Sequence, residues 1–358
     1  MKNISFTGVD IFSGAGGMSL GAEKAGIQVS TAVDVDKYSL DTYQYNHRNT
    51  HVICRDIRNI KPSDINNFSR QPFVLFGGPP CQGFSSSYSH RKNDFENPRN
   101  WMFKHFIRFV EDLKPFWVVF ENVEGFTRFY GGKLVKDLKE ALIYLGYKNP
   151  YSEVLNAVDF GVPQVRNRFF LVANKEGREF EIVPNVEERV TVGKALTDLP
   201  SLKNGDNIYE ASYKPGRPSK YGQYMRNNSR KSRQNFVSRN QDYVIERYQH
   251  IKPGQNWEAI PDRLMKNYQD KTRCHTGIYK RLDPDEPSVV IANYRKNMLI
   301  HPYEDRGLSL REAARLQSFP DDFIFQGCLG SMQQQIGNAV PPLLAEAIFR
   351  QIIQLSCG

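Results

Sequence analysis

The sequence is poor in cysteine and has no long apolar run. Five cysteines occur in 358 residues, at 54, 81, 274, 328 and 357. None belongs to a C-x-x-C pair and their number is odd, which argues against a zinc site or disulfide framework and for a reducing compartment. No stretch approaches the ~18 uninterrupted apolar residues of a membrane span. Even PPLLAEAIFRQIIQL near the C-terminus carries Glu346 and Arg350. The first residues, MKNISFTGVDIFSG, lack the apolar core of a secretory leader, so cytoplasmic residence is expected. Internal repeats and low-complexity tracts are also absent.

What is present is an ordinary globular composition, 40% hydrophobic and 24% charged. The length suits one large domain with a smaller one inserted or appended. Lys and Arg outnumber Asp and Glu by 48 to 39, and the surplus is local. Residues 185–300 hold 21 basic and 13 acidic side chains. Within 211–241, Lys214, Arg217, Lys220, Arg226, Arg230, Lys231, Arg233 and Arg239 occur without one acid, interleaved with Tyr213, Tyr221, Tyr224 and Phe236. Such a segment suits a polyanion, because each cation near a phosphate releases condensed counterions. A solvated basic loop would read the same way.

Residues 1–175 alternate short β-rich apolar runs, at 8–12, 29–33, 73–76, 116–120 and 169–173, with helical patterns. Phe103, Phe106, Ile107, Val110 and Leu113 share one helical face, as do Leu134, Leu138 and Leu142. Alternation of this kind predicts an α/β fold with a doubly wound parallel sheet covered by helices. From about 189 to 310 the pattern dissolves into polar, Pro- and Gly-punctuated sequence, predicting a small irregular domain. Helix signals then return: Ser309 with Glu312 forms a capping-box pattern, and Pro341–Pro342 opens a last helix.

Four motifs carry chemistry. In DIFSGAGG a strand ends at Phe12, and Gly14, Gly16 and Gly17 allow a tight turn against a ligand before a helix. Asp34, twenty residues after Gly14, is placed to accept ribose hydroxyls, and Asp56 an adenine amino group. These features predict a nucleoside-containing cofactor, with NAD, flavin and S-adenosylmethionine all open; the lack of a regular G-x-G-x-x-G lowers the NAD reading. In GGPPCQGFS, Cys81 follows a strand and two stiffening prolines, and so belongs at the carboxyl edge of the sheet, beside Gln82, Ser85 and Ser87. Glu121 of ENV leaves the next strand at the same edge, where burial would raise its pKa and suit it to donate a proton. In QVRNR, Arg166 and Arg168 alternate onto one face of an extended chain, able to hold an oxygen or a phosphate. A structural salt bridge is the competing reading.

In this order the segments resemble the carbon-5 cytosine DNA methyltransferase family, of the type II restriction-modification type. The resemblance also rests on REAARLQSFPDDF at 311–323 and IGNAVPP at 336–342, and so spans almost the whole chain. It implies a Rossmann-like methyltransferase domain at 1–188 plus 336–358, a target-recognition domain at 189–310 and a hinge at 311–335. It implies Cys81 as nucleophile, Glu121 at ring nitrogen 3, Arg168 at the ring carbonyl and Arg166 in support. Phe12, Gly14, Gly16, Gly17, Asp34, Val35, Asp56, Ile57, Asn338 and Val340 resemble the S-adenosylmethionine pocket, with S-adenosylhomocysteine as product. No metal is implied. The partner implied is double-stranded DNA, met by Gln82, Ser85, Ser87, Arg99, Lys214, Arg217, Arg226, Arg230, Lys231 and Arg233 of a monomer, with a restriction endonuclease as functional counterpart. The usual D-x-R-G of the loop after Ser85 is here Asn97-Pro98-Arg99-Asn100. An amino-group methyltransferase would need D/N-P-P-Y/F where this chain has Gly78-Pro79-Pro80-Cys81. A tRNA cytosine methyltransferase would carry a Cys-Phe-Thr triplet, which is missing. A catalytically inactive DNA-binding relative is opposed by the intact Cys81, Glu121 and Arg168.

Overall fold

A computed structural model describes residues 6–65, 73–80, 102–184, 186, 188–266, 277–292, 294–296 and 298–357. The chain forms two compact units, one of residues 1–156, 167–185 and 342–358, the other of 157–166 and 186–341.

The first unit is built on a seven-stranded sheet. In chain order its elements are β1 (Thr7–Ile11), α1 (Gly17–Lys24), β2 (Gln28–Asp34), α2 (Lys37–Asn46), β3 (His51–Cys54), β4 (Val74–Gly77), α3 (Met102–Leu113), β5 (Trp117–Val123), α4 (Lys133–Tyr144), β6 (Lys148–Asn156) and β7 (Asn167–Asn174). The strand order is β3-β2-β1-β4-β5-β7-β6. From β1 the chain winds outward through β2 and β3, then returns to build β4 and β5 on the other side. The switch lies between β1 and β4, where loops diverge and leave a crevice at the carboxyl ends of the strands.

The apolar runs are strands because both sheet faces are buried, which removes the need for a polar alternation. Leu75, Val118 and Phe120 face one way and pack with Phe103, Phe106, Phe109, Leu134, Leu138 and Leu142 of α3 and α4. Their strand neighbours turn to the other face: Phe76 meets Phe349 ring to ring at 4.9 Å, and Trp117 donates its Nε1–H to Ser356 Oγ. The sheet is not wholly parallel as the pattern suggested. β7 runs antiparallel to both β5 and β6. β6 gave little sequence signal, since its residues are mostly half-exposed or exposed.

The second unit holds α5 (Val192–Leu196), β8 (Asn207–Ser212), α6 (Lys220–Arg226), β9 (Lys231–Phe236), α7 (Asp242–Gln249), α8 (Leu310–Leu316) and α9 (Leu329–Asn338). The last helix, α10 (Pro342–Cys357), returns to the first unit. There a Cβ on Gly21 would come within 2.6 Å of Glu346 N, so α1 and α10 touch backbone to backbone. β8 and β9 form an antiparallel pair. Where the sequence suggested irregularity, Val244, Tyr248, Ile251, Ile260, Met265, Tyr279 and Ile300 make a small core of their own. The Ser309–Glu312 capping box is present in full at the start of α8.

Candidate functional site

The glycine turn sits at the topological switch. Phe12 leaves β1 with φ 66°, a left-handed conformation that is strained for a non-glycine residue. Gly14 and Gly16 follow at φ 52° and 90°. Asp34, at the end of β2, holds the turn in shape: its Oδ2 accepts the Gly14 N–H at 2.8 Å, and its Oδ1 accepts those of Val35 and Asp36 at 2.7 and 2.9 Å. Burial pushes the Asp34 carboxyl up, while the three N–H donors oppose that rise. The Arg55 N–H donates to the Asp34 carbonyl at 3.0 Å, so the segment bearing Asp56 and Ile57 runs alongside. Asp56 takes a forked ion pair from Arg58, whose hydrogen bonds bring the carboxyl down to about 2. Ile57 is buried, and Val35 is 67% exposed.

Two features of the turn suit a bound ligand. A Cβ on Gly14 would meet nothing within 4 Å, which leaves open space over the turn. The Ser13 hydroxyl is buried and has no hydrogen-bond partner among the described residues. A buried orphan hydroxyl beside open space, next to two acidic acceptors, fits a nucleoside with a polar tail.

Across the switch lies the second cluster. Glu121, on β5, is 8% exposed. Its Oε1 lies 3.0 Å from Nε of Arg168 on β7, with side-chain exposures of 10% and 12%. The antiparallel β5–β7 pairing sets Val123 opposite Arg168 and so brings the two motifs together. A Cβ on Gly78 would lie 2.4 Å from Glu121 Oε2, so only glycine lets the loop after β4 pass so close to the carboxylate. The Asn122 amide donates to the Pro79 carbonyl at 3.3 Å. The segment leading into Cys81 is thereby tied to ENV. Cys81 itself lies outside the described residues, as do Gln82, Ser85, Ser87 and Arg99.

Arg166 and Arg168 do not share a role. Arg166 is fully buried in the second unit and donates to the carbonyls of Gly337 and Ala339 at 2.7 and 3.1 Å. Gln164 beside it, also fully buried, donates to Leu316 O and Gln317 Oε1. Of the other residues expected near the cofactor, Asn338 ends α9 exposed and Val340 is buried, both in the second unit.

The REAARLQSFPDDF motif is a buried framework. Arg315 forks onto Asp198 and Asp321, and Arg306 onto Glu312. Arg311 donates to the carbonyls of Arg233, Pro320 and Phe323. Burial alone would push the Glu312 carboxyl up, but Arg306 and its neighbours bring it to about 2. Residues 311–335 comprise most of α8, the non-helical stretch 317–328 and the larger part of α9, within the second unit.

The basic segment divides. Arg226 is paired with Asp198 at 2.8 Å and lies over the Tyr213 ring, while Lys231 and Arg233 share Glu210. Lys214, Arg217 and Arg230 make no ion pair among the described residues, and Arg217 and Arg230 are exposed. Asn122, Gly78 and the Tyr43–His47 pair under the turn were not anticipated. The positions of Asn122 inside ENV and of Gly78 before PPC were the available signals.

This fold is that of a known class. A model of the C-5 cytosine-specific DNA methylase family matches residues 6–354, and the chain belongs to that family. It is 34% identical over 356 residues to the type II methyltransferase M1.HphI of Haemophilus parahaemolyticus, covering 99% of this chain and 88% of that one. With the type II methyltransferase M.DdeI of Desulfomicrobium norvegicum the identity is 33% over 367 residues, covering 96% and 88%. The structure matches a putative DNA modification methyltransferase encoded within an E. coli prophage with a TM-score of 0.82 at 27% identity, over 99% of this chain and 100% of that one. A DNMT2 mutant from Spodoptera frugiperda shares the fold, with a TM-score of 0.58 at 16% identity over 99% and 100% of the two chains. The protein is thus an enzyme of the DNA (cytosine-5-)-methyltransferase class, with the Rossmann-like α/β architecture expected of it. Among the described residues no helix is long and apolar enough to cross a membrane.

Proposed function

We propose that the enzyme methylates carbon 5 of one cytosine within a specific double-stranded DNA sequence, as the modifying half of a restriction-modification system. The observation that carries the reading is the buried Glu121–Arg168 pair lying against Gly78, three residues before Cys81. A carboxylate and a guanidinium side by side match the ring nitrogen 3 and the carbonyl of a cytosine.

Carbon 5 of cytosine is a poor nucleophile. The Cys81 thiolate adds to carbon 6, forming a C–S bond and sending the electron pair toward carbon 5, while Glu121 protonates or hydrogen-bonds ring nitrogen 3 and Arg168 holds the carbonyl. S-adenosylmethionine supplies the methyl group that carbon 5 accepts. Loss of the carbon-5 proton and departure of the thiolate restore the ring. The turn at Phe12, Gly14, Gly16 and Gly17, with Asp34, Val35, Asp56 and Ile57, would hold the cofactor. Attack from above the ring plane requires the nucleotide to leave the stack, at about a few kcal/mol. Residues 189–310 supply target recognition, with Lys214, Arg217 and Arg230 available for phosphates.

Labelled methyl transfer to DNA, followed by bisulfite sequencing, locates product and target together. Cys81→Ser is expected to bind DNA and form no adduct with DNA carrying 5-fluorocytosine. An adduct with that variant overturns the assignment.

A further inference from the structure

Beneath the glycine turn lies a layer that the reaction chemistry does not use. Tyr43 of α2 and His47, the residue that caps its C-terminus, pack with ring centroids 4.3 Å apart and planes tilted by 35°, and both are buried. A Cβ on Gly16 would fall 2.5 Å from His47 Nε2 and 2.9 Å from Tyr43 Cδ2, so the turn rests directly on the two rings. The rings are tied to the elements on either side of the turn. His47 Nδ1 lies 2.8 Å from Glu23 Oε2 of α1. The Tyr43 hydroxyl donates to Ser19 Oγ of α1 at 2.7 Å, and Ser19 donates to Asp10 Oδ2 of β1 at 2.6 Å. Burial pushes the Asp10 carboxyl well above the usual range, with the Ser19 hydrogen bond opposing the rise.

This arrangement has a specific use. A site made of backbone has no side chains to re-aim, so its precision depends on what lies underneath. Among the described residues no side chain caps α1, whose N-cap is Gly16, and no acid occupies its first turn. Its first N–H groups and its dipole therefore favour an anionic group, such as the carboxylate of a methionyl tail. A floor fixed in advance spares the turn the cost of ordering on binding.

We propose that Tyr43 and His47 are positioning residues for the cofactor: their packed rings, pinned through Glu23, Ser19 and Asp10, hold the Phe12–Gly17 turn in the shape that receives the amino-acid end of S-adenosylmethionine. The inference rests on the reading of that turn as the cofactor site. Its test uses the full chain and two ligands, S-adenosylhomocysteine and 5′-methylthioadenosine, which lacks the amino-acid end. In titration calorimetry His47→Ala weakens S-adenosylhomocysteine about 10- to 100-fold, the scale of a displacement near 1 Å, and leaves methylthioadenosine unchanged. In methyl transfer the KM for S-adenosylmethionine rises by a similar factor while kcat falls far less. Tyr43→Phe, which keeps the ring, stays much nearer the wild type. Should His47→Ala fold poorly, His47→Asn retains a donor toward Glu23, removes the ring from under Gly16 and is expected to give the same discrimination. Equal weakening of both ligands, or wild-type affinity for S-adenosylhomocysteine in a folded variant, overturns the inference. A wild-type chain that binds neither ligand instead overturns the cofactor reading, and this inference with it.

Discussion

Replacing Arg168 with methionine tests the centre of the proposed site. Glu121 and Arg168 stand 3.0 Å apart with side-chain exposures of 10% and 12%, so solvent screens little of their attraction. Two unit charges at that distance attract by roughly 5 kcal/mol at an effective dielectric constant near 20, before the cost of desolvating both is subtracted. Removing one partner of such a pair costs about 3–5 kcal/mol, because the remaining charge stays buried. Arg168→Met is therefore expected to lower the stability of the first unit by about 3 kcal/mol, or roughly 6–12 °C in Tm. Methyl transfer should fall by about 100-fold or more, as expected when a group that positions an acid is lost. Adding Glu121→Gln removes the stranded charge. The double variant should recover most of the lost stability and none of the activity. Thermal melts and labelled methyl transfer on both variants and the wild type decide the matter. If Arg168→Met melts with the wild type, or if the double variant is less stable than the single one, the reasoning fails.

Two further expectations concern sterics and acid. Gly78→Ala sets a methyl group 2.4 Å from Glu121 Oε2 and must push the carboxylate aside; methyl transfer should drop about 100-fold with a stability loss of about 1–3 kcal/mol, and wild-type rates would refute the contact. His301 is held down to about 4, chiefly by burial. Its neutral form is the native one, so the stability it allows is complete above the ordinary pKa of 6.5 and is lost as pH falls toward 4, by up to roughly 3 kcal/mol. His301→Asn keeps an acceptor for the N–H groups of Tyr303 and Glu304, which now donate to His301 Nδ1. Unfolding free energies measured from pH 7 to 5 should decline less steeply in that variant; an unchanged slope assigns the acid sensitivity elsewhere.

The motifs were legible because their chemistry is local. The glycines of the turn permit left-handed backbone, and their place between an apolar strand and a helix can be read from a dozen residues. ENV and QVRNR were equally visible, and the resemblance set Arg168 at the ring carbonyl and Arg166 in support, but the residues alone did not divide the two arginines. Arg166 and Arg168 read as a matched pair two residues apart. The strand β7 begins between them: Arg168 enters the sheet beside Glu121, and Arg166 stays in the second unit on the carbonyls that end α9. The basic segment 211–241 likewise read as one surface, yet Arg226, Lys231 and Arg233 are paired with Asp198 and Glu210, acids just outside the counted stretch. The sequence of REAARLQSFPDDF did not say where its charges lie. Three of its ions, Arg311, Arg315 and Asp321, are fully buried and met by partners distant in sequence, the Arg233 carbonyl, Asp198 and the Tyr213 hydroxyl.

The amino-acid order by itself determined the α/β class, the turn before α1, the capping box of α8 and the family to which the enzyme belongs, since each follows from neighbours a few positions apart. Tertiary structure decided which charges neutralise one another, the antiparallel entry of β7, the contact between Gly78 and Glu121 and the aromatic floor under Gly16. Those depend on groups tens of residues apart coming within hydrogen-bonding or van der Waals distance. Electrostatic and packing energies fall off over a few ångströms, and separation along the chain does not specify separation in space.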